Sequence, residues 1–206
     1  MKRAKQNELM IQKILNNAIE EFNSYDYESA SLNRICKKGQ ISKGIIYHYF
    51  KDKDDLYLKC VQICFETLIE YYNQKNFNCL DLSEAVIGYM QIRAQFFEEH
   101  TEFRGLFFNA LLRTPSHLQH EVNNLKKELD TINLSFLKNQ LSKITLKDSI
   151  SVDGAVKFLD IQINSFNEYF QKAAEENKNF HSVIEKHEDM IVEWLNIILY
   201  GIVKEA

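Results

Sequence analysis

The residues best suited to chemistry on another molecule lie in one run, ISKGIIYHYFKDKDDL, residues 41–56. At about 100° per residue, a helix capped by Ser42 and running through Phe50 turns Ile46 and Phe50 to one side. Gly44, Ile45, Tyr47 and His48 then face the other way, flanked by Lys43 and Tyr49. That outer face is flat near its start, hydrogen-bonding in its middle and basic at its edge. Tyrosine hydroxyls and helix-start amides can bind phosphate. A histidine or an isoleucine can meet a base edge or a thymine methyl. The bland alternative is an exposed aromatic cluster that packs on the body of the protein.

A second set could hold a small molecule. Fourteen Phe and ten Tyr are enough to line an apolar pocket, although each is also an ordinary core residue. Arg93 stands out because Tyr89, Met90, Phe96 and Phe97 lie three or four residues away on the same helical face, which His100 continues. With Phe107 and Phe166 these residues make a candidate ligand site, Arg93 binding the acid group of an apolar effector. Alternatively, Arg93 snorkels outward or pairs with a glutamate of another helix. Cys60 with Cys64 and His117 with His120 each share a face and could supply two metal ligands, but nothing brings the pairs together, so no metal and no cofactor is expected. No Gly-x-Ser-x-Gly elbow, phosphate-binding glycine loop or paired His-Glu metal motif is present, so an enzyme is not expected.

The elements that must carry these residues are helical. One proline and six glycines in 206 residues argue against a loop-rich or all-β chain, and the expectation is an all-α fold of about nine helices. Ile11, Ile14, Leu15, Ala18 and Phe22 mark a first helix from about Asn7 to Asn23. Ser29 or Ser31 can cap a short second helix, and Gly39-Gln40 ends it, with the glycine free to turn left-handed. The third helix follows, KDKDD marks a restart, and a fourth runs from Leu56 to Gln74. Two short helices joined by a tight turn and braced by a first helix form a helix-turn-helix. Later stripes mark five more helices, the seventh opened by a Thr114 cap with Pro115 at its first position. The expected division is a helix-turn-helix domain over residues 1–53 and a helical regulatory and dimerisation domain over 54–206.

Charge follows that division. Residues 1–53 carry ten Lys/Arg and six Asp/Glu, a net +4, while the remaining 15 basic and 23 acidic groups give −8. A basic head suggests a polyanion partner for the head alone. The cysteines Cys36, Cys60, Cys64 and Cys79 have no framework spacing and read as reduced thiols of a cytoplasmic protein. Neither a signal peptide nor a membrane helix is expected. The last two helices are apolar on more than one face, with Phe158, Ile163, Phe166, Phe170, Ile191, Trp194, Ile198 and Ile202 as candidate contacts with a second copy, or as the faces of a central helix buried within one chain.

Residues 11–56 resemble the DNA-binding domain of TetR-family transcriptional regulators (TetR/AcrR type). The matching run is Ile41 to Leu56, preceded by Ile14, Ala18, Phe22 and Ile35. The resemblance implies that Ser31, Ser42, Tyr47, Tyr49 and Lys53 hold phosphates, and that Lys43, Gly44, Ile45 and His48 face base edges. It also implies a homodimer on an inverted-repeat operator and repression relieved by a small apolar or amphipathic effector. The chain departs from the pattern at Asp26, where glycine is usual and a left-handed residue is expected, at Gly39-Gln40, where the glycine is displaced by one place, and at Cys36, where alanine is common. Other readings are a helical binding protein whose head contacts protein or RNA, and a non-specific architectural DNA binder.

Overall fold

Ile14, Leu15, Ala18, Ile19 and Phe22 recur at helical spacing, and all five are buried along α1 (Lys2–Ser24). The computed structural model describes residues 2–75, 82–177 and 179–202, with side chains from residue 4 to residue 199. Among these residues the remaining elements are α2 (Leu32–Gly39), α3 (Lys43–Tyr49), α4 (Lys53–Asn73), α5 (Leu82–Glu99), α6 (Thr101–Leu112), a 3-10 turn (Ser116–Leu118), α7 (Gln119–Leu141), α8 (Val152–Glu176) and α9 (Phe180–Ile202). The described residues thus form nine α-helices and no β-strand.

Some boundaries differ from expectation for local reasons. α4 starts at Lys53 because Asp52 caps it, its Oδ1 accepting the Asp55 amide at 2.9 Å while Asp55 Oδ2 accepts the Lys51 amide at 3.0 Å. Thr114 does not cap α7: its hydroxyl donates back to the Ala110 carbonyl, and Pro115, at ψ 136°, precedes the 3-10 turn instead of opening the helix. Asp26 is not left-handed either; its carboxylate accepts the Ser29 amide three residues on at 2.8 Å, and its carbonyl accepts the Ala30 amide, so it caps the turn that follows.

The chain forms two compact units, Met1–Leu68 with Phe97–Lys126, and Ile69–Phe96 with Lys127–Ala206. In the first, α1 packs on both α2 and α6, and Tyr57 sits edge-on to Phe22 and Tyr27 at 5.0 and 5.2 Å. In the second, α8 packs on α9, and Tyr89 stacks between Tyr72 at 4.5 Å and Phe136 at 4.2 Å.

The α1–α6 contact is unusually close. The Gly105 amide donates to Asn23 Oδ1 at 2.6 Å, and a Cβ on Gly105 would lie 2.0 Å from the Asn23 carbonyl oxygen. One turn on, buried Asn109 turns its amide nitrogen toward the Phe22 and Tyr25 carbonyls at 3.4 and 3.5 Å, where α1 runs out of partners. Gly105→Ala would gain helix propensity of about 1 kcal/mol in an isolated helix, yet here it should lower the unfolding free energy by about 1–3 kcal/mol. Urea denaturation checks this; an unchanged midpoint would mean that α6 can move off α1 without loss.

Candidate nucleic-acid interface

The start of α2, the helix that precedes α3, is held by a carboxylate on α1. Glu21 is 8% exposed. Its Oε1 accepts the Ser31 amide at 2.7 Å and Arg34 Nε at 2.8 Å, and Arg34 Nη2 completes the ion pair at 2.6 Å. Arg34 also lies 4.1 Å over the Tyr25 ring and donates to the Ser29 carbonyl. Glu21 therefore meets the start of α2, where Ser31 occupies the cap position but makes no side-chain capping bond.

α2 ends in a Schellman turn: the Ile41 amide donates to the Cys36 carbonyl at 2.9 Å and the Gln40 amide to that of Lys37 at 3.4 Å. The left-handed residue is Gln40, at φ 49° and ψ 48°, and not Gly39 as expected. Gly39 serves space: a Cβ there would come within 2.7 Å of Ile41 Cδ1 and 3.1 Å of Asn17 Nδ2.

From this turn Ser42 caps α3, its hydroxyl accepting the Ile45 amide at 3.3 Å. Ile46 and Phe50 are buried, while Lys43, Gly44, Tyr47 and His48 are exposed. Ile45 and Tyr49 are half-buried at the edges. Lys43 Nζ lies 5.9 Å from the Tyr47 ring, and His48 meets Tyr49 edge-on at 4.8 Å. The Tyr49 hydroxyl donates to Asn7 Oδ1 on α1 at 3.1 Å. Lys53 turns inward: its ammonium donates to the Tyr27 carbonyl over the Tyr27 ring, and burial lowers its pKa. Tyr27 in turn donates to Asp54, whose other oxygen is 3.4 Å from His117 Nε2.

Gly44 distinguishes this face from ordinary surface. A Cβ there would meet nothing closer than Ser42 Oγ at 4.0 Å, so no neighbour within the chain requires glycine. Glycine inside a helix is unfavourable by about 1 kcal/mol relative to alanine. The bare backbone therefore suits an external partner that approaches closely.

The ligand candidates are divided between the two compact units. Tyr89, Arg93 and Phe96 belong to the second unit, where the Tyr89 hydroxyl donates to Asn133 Oδ1 at 2.6 Å and Phe96 meets Tyr71 at 5.4 Å. Met90 is half-buried on the same helix. Arg93 pairs with Glu188 at 2.6 Å, the second of the two sequence readings, and its Nε is buried without a hydrogen-bond partner. Glu188 Oε1 is also 3.1 Å from His187 Nδ1, and burial lowers the His187 pKa. Phe166 packs against Phe170, His187 and Trp194. Phe97, Phe107 and His100 belong to the first unit, Phe97 and Phe107 in ring contact at 5.1 Å.

Cys60 and Cys64 are fully buried, and burial pushes both thiols up; Cys36 is half-buried and Cys79 lies outside the described residues. His120 lies beside Asn124, and no metal-holding group of three or more His, Cys, Asp or Glu occurs among the described residues. No described helix is long and apolar enough to cross a membrane.

On α8 and α9, Phe166, Phe170 and Ile191 are buried within the chain, and Ile163, Trp194 and Ile198 are half-buried. Phe158 is exposed; the side chain of Ile202 lies outside the described residues. The candidate contacts left out Ile161, Tyr169, Met190 and Ile197, which are large, apolar and exposed, although Met190 and Ile197 count toward the broad apolar surface of the last helix. Their signal is a stripe beside the buried one, about 100° around each helix: Phe158, Ile161 and Tyr169 on α8, Met190 and Ile197 on α9.

Residues 14–60 match the model of the family described as bacterial regulatory proteins, tetR family. The chain is 24% identical over 194 residues to the biofilm operon icaADBC HTH-type negative transcriptional regulator IcaR of Staphylococcus epidermidis, a match covering 92% of this chain and 99% of that protein. The IcaR of Staphylococcus aureus is 36% identical over 59 residues, 29% of this chain and 32% of that one. Among solved structures, a TetR-family regulator from Chloroflexus aurantiacus has a TM-score of 0.59 at 18% identity, covering 96% of this chain and 95% of its own. FadR of Bacillus subtilis, solved in complex with stearoyl-CoA, has a TM-score of 0.57 at 18% identity, covering 89% and 96%. These two structures share the fold.

Gly44→Ala should separate folding from binding. Thermal or urea unfolding should show stability unchanged or raised by up to about 1 kcal/mol, while affinity for cognate duplex falls about tenfold or more because the methyl group stands in the approach path. Equal affinity with raised stability would show that nothing approaches the backbone there.

Proposed function

We propose that this chain, which belongs to the TetR family of bacterial transcriptional regulators, represses transcription in the cytoplasm as a homodimer on an inverted-repeat operator. The family consists of DNA-binding regulators and not of enzymes. The observation that carries the reading is the exposed face of α3, with a glycine that no neighbour in the chain requires. Its similarity to a negative transcriptional regulator over nearly that protein's whole length supports repression.

In this reading, residues 1–53 read DNA and residues 54–206 regulate and dimerise. Lys43, Gly44, Ile45 and His48 face base edges; Ser31, Ser42, Tyr47 and Tyr49 hold phosphates, joined by Lys53 once it leaves the Tyr27 carbonyl. Two copies place two α3 helices on half-sites about one helical turn apart, which compensates for the shortness of one reading helix. The dimer forms through the outer stripes of α8 and α9, with the buried Phe166, Phe170 and Ile191 supporting them from beneath. A small amphipathic effector in the second unit releases the operator. Arg93 would hold its acid group in exchange for Glu188, a role supported by its buried, unpartnered Nε. Coupling of a few kcal/mol between the two sites is enough for such a switch.

Selection of bound sequences from a random duplex pool, at near-physiological salt, tests the reading. An inverted repeat is the expected product. Binding without a motif that vanishes as salt rises would replace this reading by that of an architectural binder. On the selected operator, Tyr47→Phe should weaken binding to all variants alike, whereas His48→Ala should change preference by about 1–3 kcal/mol at one base pair. Ile197→Glu should shift the dimer toward monomer in analytical ultracentrifugation and lower operator affinity about tenfold or more, because a carboxylate would be buried in the pair. An intact Ile197→Glu dimer would place the interface elsewhere.

A further inference from the structure

We propose that Asn7, on the second turn of α1, is a positioning residue that aims the Tyr49 hydroxyl at a DNA phosphate; this rests on the reading of α3 as the DNA-facing helix. The two side chains are 42 residues apart and meet at 3.1 Å, Tyr49 Oη donating to Asn7 Oδ1. Tyr49 lies at the edge of the α3 face, half-buried, with its ring against His48. Asn7 is exposed, so no burial requirement explains the bond.

The hydroxyl has one proton to give. While it is given to Asn7, none is left for a phosphate, which only accepts. The conflict is resolved by a half-turn of the Asn7 amide about χ2. Asn7 Nδ2 then donates to Tyr49 Oη, and the hydroxyl proton points outward to the phosphate oxygen. No proton leaves its oxygen or nitrogen; one hydrogen bond reverses direction and one new bond forms, and the resulting chain ends on an anion, where each bond polarises the next. Asparagine can do this because it carries both an acceptor and a donor on one short side chain. Aspartate in its place would accept only, keeping the hydroxyl turned away and adding negative charge near the backbone. Alanine would leave the hydroxyl free to rotate.

A double-mutant cycle on the full-length protein and its selected operator provides the test, read as dissociation constants at one salt concentration and checked by thermal unfolding. Tyr49→Phe should weaken binding about tenfold and to the same degree across operator variants, as loss of a hydrogen bond to a charged group does. Asn7→Ala should weaken it about threefold alone and not at all in the Tyr49→Phe background. Asn7→Asp should weaken it more than Asn7→Ala, with melting temperatures unchanged for all variants. Losses that simply add in the double variant would overturn the proposal, since Asn7 would then act without Tyr49. Equal effects of Asp and Ala would overturn it as well. If Tyr49→Phe alone binds as the unaltered protein does, Tyr49 holds no phosphate, and the assignment of this edge of α3 fails together with the inference; if Tyr49→Phe weakens binding and Asn7→Ala does not, only the inference fails.

Discussion

The placement of α2, and through its closing turn that of α3, depends on the Glu21 carboxylate. Nearly buried, it accepts two hydrogen bonds on one oxygen, from the Ser31 amide and Arg34 Nε, pairs with the Arg34 charge, and so joins the last turns of α1 to the first turn of α2. α2 has only eight residues and α3 seven, too short to hold their own geometry in water. Their orientation must come from contacts with α1 and from the turn between them. A carboxylate suits the task because its bonds to N–H donors are charge-assisted and directional, whereas an apolar contact at the same place would allow the helix to slide. Leu or Ala at this position would leave the Ser31 amide and the Arg34 guanidinium without their acceptor.

The α3 face was legible in the sequence because its determinants are local. A cap at Ser42, two buried positions four apart and the helical period suffice to say which side chains look outward. The turn before it was less legible. A glycine beside the turn suggested the left-handed residue, but that glycine is needed for room beside Ile41 and Asn17, and Gln40 takes the strained conformation instead. Contacts distant in sequence left no periodic signal: Glu21 with Arg34, Asn7 with Tyr49 and Gly105 with Asn23 are 13, 42 and 82 residues apart. The same holds for α8 and α9, whose apolar stripes were visible, although which stripe faces inward depends on packing against each other.

The second unit keeps polar groups inside an otherwise aromatic interior. Asn133 accepts from Tyr89, and Glu188 lies between Arg93 and His187, whose other nitrogen is 3.1 Å from Asn167. Burial lowers the His187 pKa and so favours the neutral ring. Removing one member of such a network leaves a buried group unpaired, so the register of α5, α7, α8 and α9 is fixed by chemistry as well as by shape.

The close approach of Gly105 to Asn23 has a consequence for synthesis. The first compact unit is discontinuous: its second part begins at Phe97, after a stretch that belongs to the other unit. As the chain leaves the ribosome, α1, α2 and α3 emerge well before α6, so the part of α1 that meets α6 stays uncovered until α6 follows. At roughly 5–20 residues per second, the wait is several seconds. During that time the part of α1 that α6 will cover is open to other chains. α3 is thus made early, while the compact unit it belongs to is complete only when a later segment arrives.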